Sequence, residues 1–155
     1  MEAHGFPEQE VRTTMVEALY TAIATSRGDG RNGEVTSSDG VIDERLSIPK
    51  EMGGPGGEFT NPEQLFAAGY SACFHSALQL VARQSKVGLP NSTVTAEVGI
   101  GKDGEGFGLS VKLIANLPGL EQGQANELVA QAHQVCPYSR ATRGNIEVEV
   151  TATTD

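Results

Sequence analysis

Asn61-Pro-Glu-Gln-Leu-Phe-Ala-Ala-Gly-Tyr-Ser-Ala-Cys-Phe-His-Ser-Ala-Leu-Gln-Leu-Val-Ala-Arg-Gln-Ser-Lys86 decides the fold. Its start is marked three times: Asn61 can cap free amides, Pro62 suits the first helical position, and Gln64 stands where a capping box needs it. Its end is marked by Arg83 and Lys86 in the last turn, then Gly88 and Pro90. Between them nearly every residue is apolar or small. A helix apolar nearly all round is a buried helix, and its small residues let another backbone come close. Cys73, one of two cysteines in the chain, sits in its middle.

Outward from this helix, the chain reads as short strands. Val16 to Thr25 has strand character, with Leu19, Thr21 and Ile23 on one face. Arg27 to Gly33 is a turn cluster, so residues 34 to 37 are expected to return as a hairpin, and Val41 to Ile48 adds a third strand. Pro49 to Thr60 is a flexible Gly/Pro loop that either lies over a site or simply connects. It is not a phosphate loop, because no Gly-Lys-Ser/Thr follows. Beyond the helix, Ser92 to Ile100 alternates with Val94, Ala96, Val98 and Ile100 on one side. The facing strand carries Phe107, Leu109, Val111, Leu113 and Leu117. Glu121 to Gln134 is an amphipathic helix with Ala125, Leu128, Val129 and Ala132 inward, and Cys136-Pro137 ends it. Ile146 to Thr153 is a last strand. The class is α+β, with antiparallel sheets around a buried central helix.

At 155 residues the chain suits one domain, 15–155, preceded by a polar extension over 1–14. Met15 could be an alternative start. The net charge of -9 argues against nucleic acid. No apolar run reaches the roughly 18 to 20 residues of a membrane span, and the acidic N-terminus is no secretory signal. A cytoplasmic protein is expected, in which two cysteines are redox-active or inert rather than a structural staple.

For Cys73, a small core residue and a reactive thiol are both open readings. Burial raises a thiol's pKa, so reactivity demands a nearby cation; Arg31, Arg83, Arg140 and Arg143 are on offer. Cys136, at a helix end, is expected to be accessible. The two cysteines could meet as an attacking and a resolving pair, or be unrelated. Cys73 with His75 and His133 with Cys136 supply zinc-type ligands, but positions i and i+2 point to nearly opposite sides of a helix, so a shared ion is not favoured. Glu63 has a plain role in the helix's first turn, favouring its dipole.

Asn61 to Phe74 and Cys136-Pro-Tyr-Ser139 resemble the two signature segments of the organic hydroperoxide resistance (Ohr) proteins of the OsmC/Ohr superfamily. Leu19-Tyr-Thr-Ala22, Gly28-Asp-Gly-Arg31 and Ser37-Ser-Asp-Gly40 extend the resemblance, which runs from about residue 15 to the end. It implies an intertwined homodimer and a thiol peroxidase that reduces organic hydroperoxides, lipid-derived ones included, to alcohols. It implies no metal or other cofactor, and recycling by a dithiol such as a lipoyl group on a protein. Cys73 matches the peroxidatic cysteine, Cys136 the resolving one, Arg31 the arginine against the thiolate, and Glu63 its partner. An OsmC-type peroxidase of broader range, or a non-catalytic small-molecule-binding dimer, are the alternatives. Glu63 and Cys73 lie ten residues apart, roughly 15 Å along a helix. One arginine cannot easily touch both, so the Glu63 near a given Cys73 is expected to come from the partner subunit.

Overall fold

The computed structural model describes residues 16–155; the extension over 1–14 and the alternative start at Met15 lie outside the described residues. Nine regular elements follow in order: β1 (Ala24–Arg27), β2 (Glu34–Ser37), β3 (Asp43–Arg45), α1 (Pro62–Gln84), β4 (Thr93–Asp103), β5 (Gly106–Asn116), α2 (Gln122–Val135), α3 (Pro137–Thr142) and β6 (Glu147–Thr153). They make two three-stranded sheets, β1-β2-β3 and β4-β5-β6. The α+β class and the central helix are as expected.

α1 begins as its sequence dictates. The Asn61 side chain accepts from the Gln64 amide at 2.8 Å, and Pro62 follows the cap. The Gln64 side chain does not complete a capping box; its Oε1 accepts from the Thr60 hydroxyl at 2.8 Å instead. The helix stops two residues before the expected end. Ser85 is its C-cap, Lys86 turns left-handed at φ 58°, and Val87 N–H reaches back to the Ala82 carbonyl at 2.8 Å. Together with Lys86 N–H to the Arg83 carbonyl, this is a Schellman closure made without glycine.

One face of α1 is buried rather than the whole circumference. Tyr70, Phe74, Ala77, Leu78, Val81 and Ala82 enter the core, where α1 packs against β4, α2 and α3. Burying side chains such as Phe74, Leu78 and Val81 is worth about 1.5–3 kcal/mol each, far above helix-propensity differences, so packing sets the helix's orientation. Ala68, Ala72, Ser76 and Leu80, at i+4 spacing, form an exposed stripe on the other side. By length and composition alone α1 is apolar enough to cross a membrane, contrary to the expectation that no run reaches that limit. Here it is the core helix of the fold.

The second sheet carries the core. β4 and β5 pair antiparallel from Thr93↔Asn116 to Asp103↔Gly106. β6 pairs with β5 in parallel, Val148 opposite Val111 and Val150 opposite Leu113, so the expectation of purely antiparallel sheets is corrected. The cause is the connection: α2 and α3 form a crossover long enough to return the chain to the starting end of β5. α2 buries Ala125, Leu128, Val129 and Ala132, as its periodicity predicts.

The first sheet is different. The meander order β1-β2-β3 is as expected, but β1 covers only Ala24–Arg27: β2 ends at Ser37, and the last backbone bond to this stretch is Ser38 N–H to the Ile23 carbonyl at 2.8 Å. Leu19, Tyr20 and Ile23 are exposed. β3 shrinks to Asp43–Arg45; beyond it Leu46 leaves the ladder for a single parallel bridge with Thr60 and becomes buried with Ser47. This sheet makes only sparse contact with the body of the protomer. The Pro49–Thr60 loop is tied down rather than free: Ser47 Oγ donates to the Gly56 carbonyl at 2.9 Å, and Gly56 N–H to the Ile48 carbonyl at 3.0 Å. A Cβ on Gly54 would come 2.2 Å from the Ile48 carbonyl oxygen, which is why that position is glycine.

Candidate active site

Two pairs of the four singled-out residues come together, and the pairs stay apart. The first is Cys73 with Cys136, Sγ to Sγ 3.6 Å, both unbridged. α1 supplies Cys73. Cys136 is the joint between α2 and α3: its N–H closes α2 on the Ala132 carbonyl at 2.8 Å, and its carbonyl opens α3 by accepting from Arg140 N–H at 3.0 Å. Pro137 forces that joint and begins the new helix. Exposure is the reverse of expectation: Cys136 is fully buried at 0%, while Cys73 is only partly buried.

Burial pushes the Cys73 thiol up; the Tyr138 backbone amide pulls it back, and Cys136 raises it again. That amide sits in the first turn of α3, where N–H groups lack helical partners, so it is free to aim at sulfur. Cys73, in mid-helix, draws nothing from the start of its own helix; the amide belongs to α3, a six-residue helix with no periodicity to announce it. Among the described residues, no cation contributes to the Cys73 shift.

The second pair is Arg31 with Glu63. The guanidinium donates through Nη1 and Nη2 to the two carboxylate oxygens at 2.9 and 2.8 Å, the planar two-point grip arginine is shaped for. Arg31 lies in the 3-10 turn Gly30–Asn32 between β1 and β2, and Glu63 in the first turn of α1. The hydrogen bond to Arg31 holds the Glu63 carboxyl below its usual range, and the same bond raises Arg31. Glu63 also lines a cleft of about 370 Å³ beneath the Gly/Pro loop, with Met52, Asn61, Gln64 and Val98.

The histidines turn to hydroxyls: His75 Nε2 lies 2.9 Å from Ser92 Oγ, and His133 Nδ1 2.8 Å from Ser139 Oγ. Among the described residues no three His, Cys, Asp or Glu side chains converge as a metal site needs. Phe66 and Tyr70 of α1 and Tyr138 of α3 pack on one another, with ring centroids 5.6–6.1 Å apart. The Tyr138 ring passes over Gly69, where a Cβ would meet its hydroxyl at 3.0 Å. Tyr70 went unnoticed in the sequence, although a tyrosine in a buried helix must find a polar partner for its hydroxyl.

Residues 54–151 match the family described as OsmC-like protein. The chain belongs to that family, among its organic hydroperoxide resistance proteins. An organic hydroperoxide resistance protein of Xanthomonas axonopodis pv. citri is 53% identical over 136 residues, covering 87% of this chain and 95% of the relative. The crystal structure of an organic hydroperoxide resistance protein from Elizabethkingia anophelis, with crystallant-derived thiocyanate bound, has a TM-score of 0.85. It is 52% identical and covers 90% of this chain and 100% of its own. A structure from Vibrio cholerae, of a protein with captopril bound in one of its active sites, has a TM-score of 0.83 at 53% identity, covering 91% of this chain and 96% of its own.

Proposed function

We propose that this member of the Ohr family is a cytoplasmic, cysteine-based peroxidase that reduces organic hydroperoxides. The observation that carries the reading is the 3.6 Å approach of a reachable sulfur to a sealed one. The Cys73 thiolate attacks the terminal peroxide oxygen. The O–O bond breaks, the alkoxide leaves and takes up a proton as the alcohol, and Cys73 is left as sulfenic acid. The Cys136 sulfur then attacks Cys73, water leaves, and a disulfide forms. Two electrons from a dithiol, such as a lipoyl group, restore both thiols. No cofactor or metal enters this scheme. Cys73 packs against the apolar core, and such a surround favours alkyl peroxides over hydrogen peroxide.

The protomer supports a composite site in an intertwined homodimer. Among the described residues no cation contributes to the Cys73 shift, while Arg31 is fixed by its own Glu63 elsewhere on the chain. The first sheet has both faces largely open, and the chain before it exposes Leu19, Tyr20 and Ile23. A second copy covering these surfaces brings its Arg31–Glu63 pair to Cys73. There the guanidinium favours the thiolate and the developing alkoxide.

Turnover of cumene hydroperoxide with dihydrolipoamide, in wild type and Cys73→Ser, tests the proposal. Activity that disappears with Cys73 and far exceeds that on hydrogen peroxide is expected. Titration after one equivalent of peroxide should show two thiols lost per chain; no loss would leave a binding protein, and comparable rates on both peroxides the broader OsmC-type activity.

A further inference from the structure

A line of buried hydroxyls ties the joint at Cys136 to the helix that carries Cys73. Tyr70 is 0% exposed, and its hydroxyl lies 2.9 Å from Ser139 Oγ and 3.0 Å from Thr142 Oγ1. Ser139, also 0% exposed, lies 2.8 Å from His133 Nδ1. Thr142 donates to a backbone carbonyl, that of Tyr138 at 3.0 Å or Ser139 at 3.3 Å.

Each hydroxyl has one proton, so the directions are fixed. Thr142 spends its proton on the carbonyl and must accept from Tyr70. Tyr70 must then accept from Ser139, and Ser139 from His133. His133 therefore carries its proton on Nδ1. Every donor in the line is used once, and none is left buried without a partner.

The line has a mechanical consequence. α3 is six residues long with no side-chain N-cap, too short to hold itself in water. Its seat comes from the Tyr70 hydroxyl, which bonds two of its residues at once. Tyr70 is three positions before Cys73 and so on the same side of a rigid helix. α3 starts at the Cys136 carbonyl and carries the Tyr138 amide that faces Cys73.

We infer that Tyr70 is a positioning residue: through Ser139 and Thr142 it holds α3, and with it Cys136, at closing distance from Cys73. Its loss slows formation of the disulfide more than it slows the first attack by Cys73. The relevance to turnover rests on the proposed peroxidase function, but the geometry does not, and it can be tested without a peroxide.

Diamide is the probe. A cysteine thiolate adds across its N=N bond; a second thiolate displaces the hydrazine, which carries away the two electrons, and the disulfide remains. Rapid-quench mass spectrometry resolves the adduct from the disulfide in wild type, Tyr70→Phe, Thr142→Val and, as a core control away from α3, Leu113→Val. Closure about tenfold slower in Tyr70→Phe, with an adduct on Cys73 that persists, is expected, while Leu113→Val closes at the wild-type rate whatever its Tm. Closure within twofold of wild type in Tyr70→Phe overturns the inference. If Tyr70→Phe does not fold, Thr142→Val decides by the same criterion. A wild type that closes with diamide but not with cumene hydroperoxide removes the peroxidase reading and leaves the clamp standing.

Discussion

Arg31 grips Glu63 of its own chain through two hydrogen bonds of 2.9 and 2.8 Å, ten residues along α1 from Cys73. At about 1.5 Å per residue the separation is some 15 Å along the helix axis, and on the proposed composite site the pair would serve the Cys73 of a second copy. Mixed dimers test this. Combining an Arg31→Ala protomer with a Cys73→Ser protomer rebuilds one intact site only if Cys73 meets the Arg31 of the other chain. The mixture is expected to recover a large fraction of the activity that each variant lacks alone. Dead heterodimers, shown to have formed by native mass spectrometry, would place all four residues in one chain.

Cys136 is sealed and Cys73 is not, so their replacements should fail differently. Cys73→Ser abolishes peroxide consumption. Cys136→Ser consumes one equivalent and stalls with Cys73 as sulfenic acid, then sulfinic acid under excess peroxide. Intact-mass measurement distinguishes the two, and steady dithiol-driven turnover in Cys136→Ser would refute its resolving role.

The two long helices were legible because their signals are local: Asn61 and Pro62 open α1, and the spacing of Ala125, Leu128, Val129 and Ala132 orients α2. The resemblance named both cysteines, but residue order could not say which was exposed, since burial belongs to the packing of α3 on α1. α3 itself is too short for periodicity and is held by Tyr70, a long-range bond. The parallel pairing of β6 was missed because alternation fixes a strand's face and not its direction; the helices before it were the available clue. The overlong first strand follows from the placing of Leu19, Thr21 and Ile23 on one strand face; Leu19 and Ile23 lie outside the strand and are exposed on the protomer.

The Arg31–Glu63 pair also gives a pH signature. The hydrogen bond from Arg31 depresses the Glu63 carboxyl below its unfolded value of about 4.3. A depressed carboxyl contributes stability that is complete above the unfolded pKa and disappears as pH falls through the folded one. With Arg31 partly open to solvent, the contribution is on the order of 1 kcal/mol. Thermal melts of wild type and Glu63→Gln should differ at pH 6–7 and converge in acid, below the folded pKa. A constant gap down to pH 2 would mean that the substitution acts through packing instead.

Lys86 closes α1 in the left-handed region, φ 58°, where a side chain costs about 1 kcal/mol that glycine avoids. The position is exposed, and its role in the closure is a backbone one, N–H to the Arg83 carbonyl at 3.0 Å. Lys86→Gly keeps that bond and relieves the strain, but gives the unfolded chain more freedom, which offsets part of the gain. The strain term is the larger here because the closure is fixed on both sides, by Val87 N–H on Ala82 and by Val87 packing against the core. A net stabilisation of about 0.5 kcal/mol is expected, read as a higher urea midpoint at unchanged m-value. Lys86→Ala keeps the strain and loses only the charge near the helix end, so its midpoint should not rise; a rise equal to that of glycine would show that charge, not backbone geometry, governs this cap.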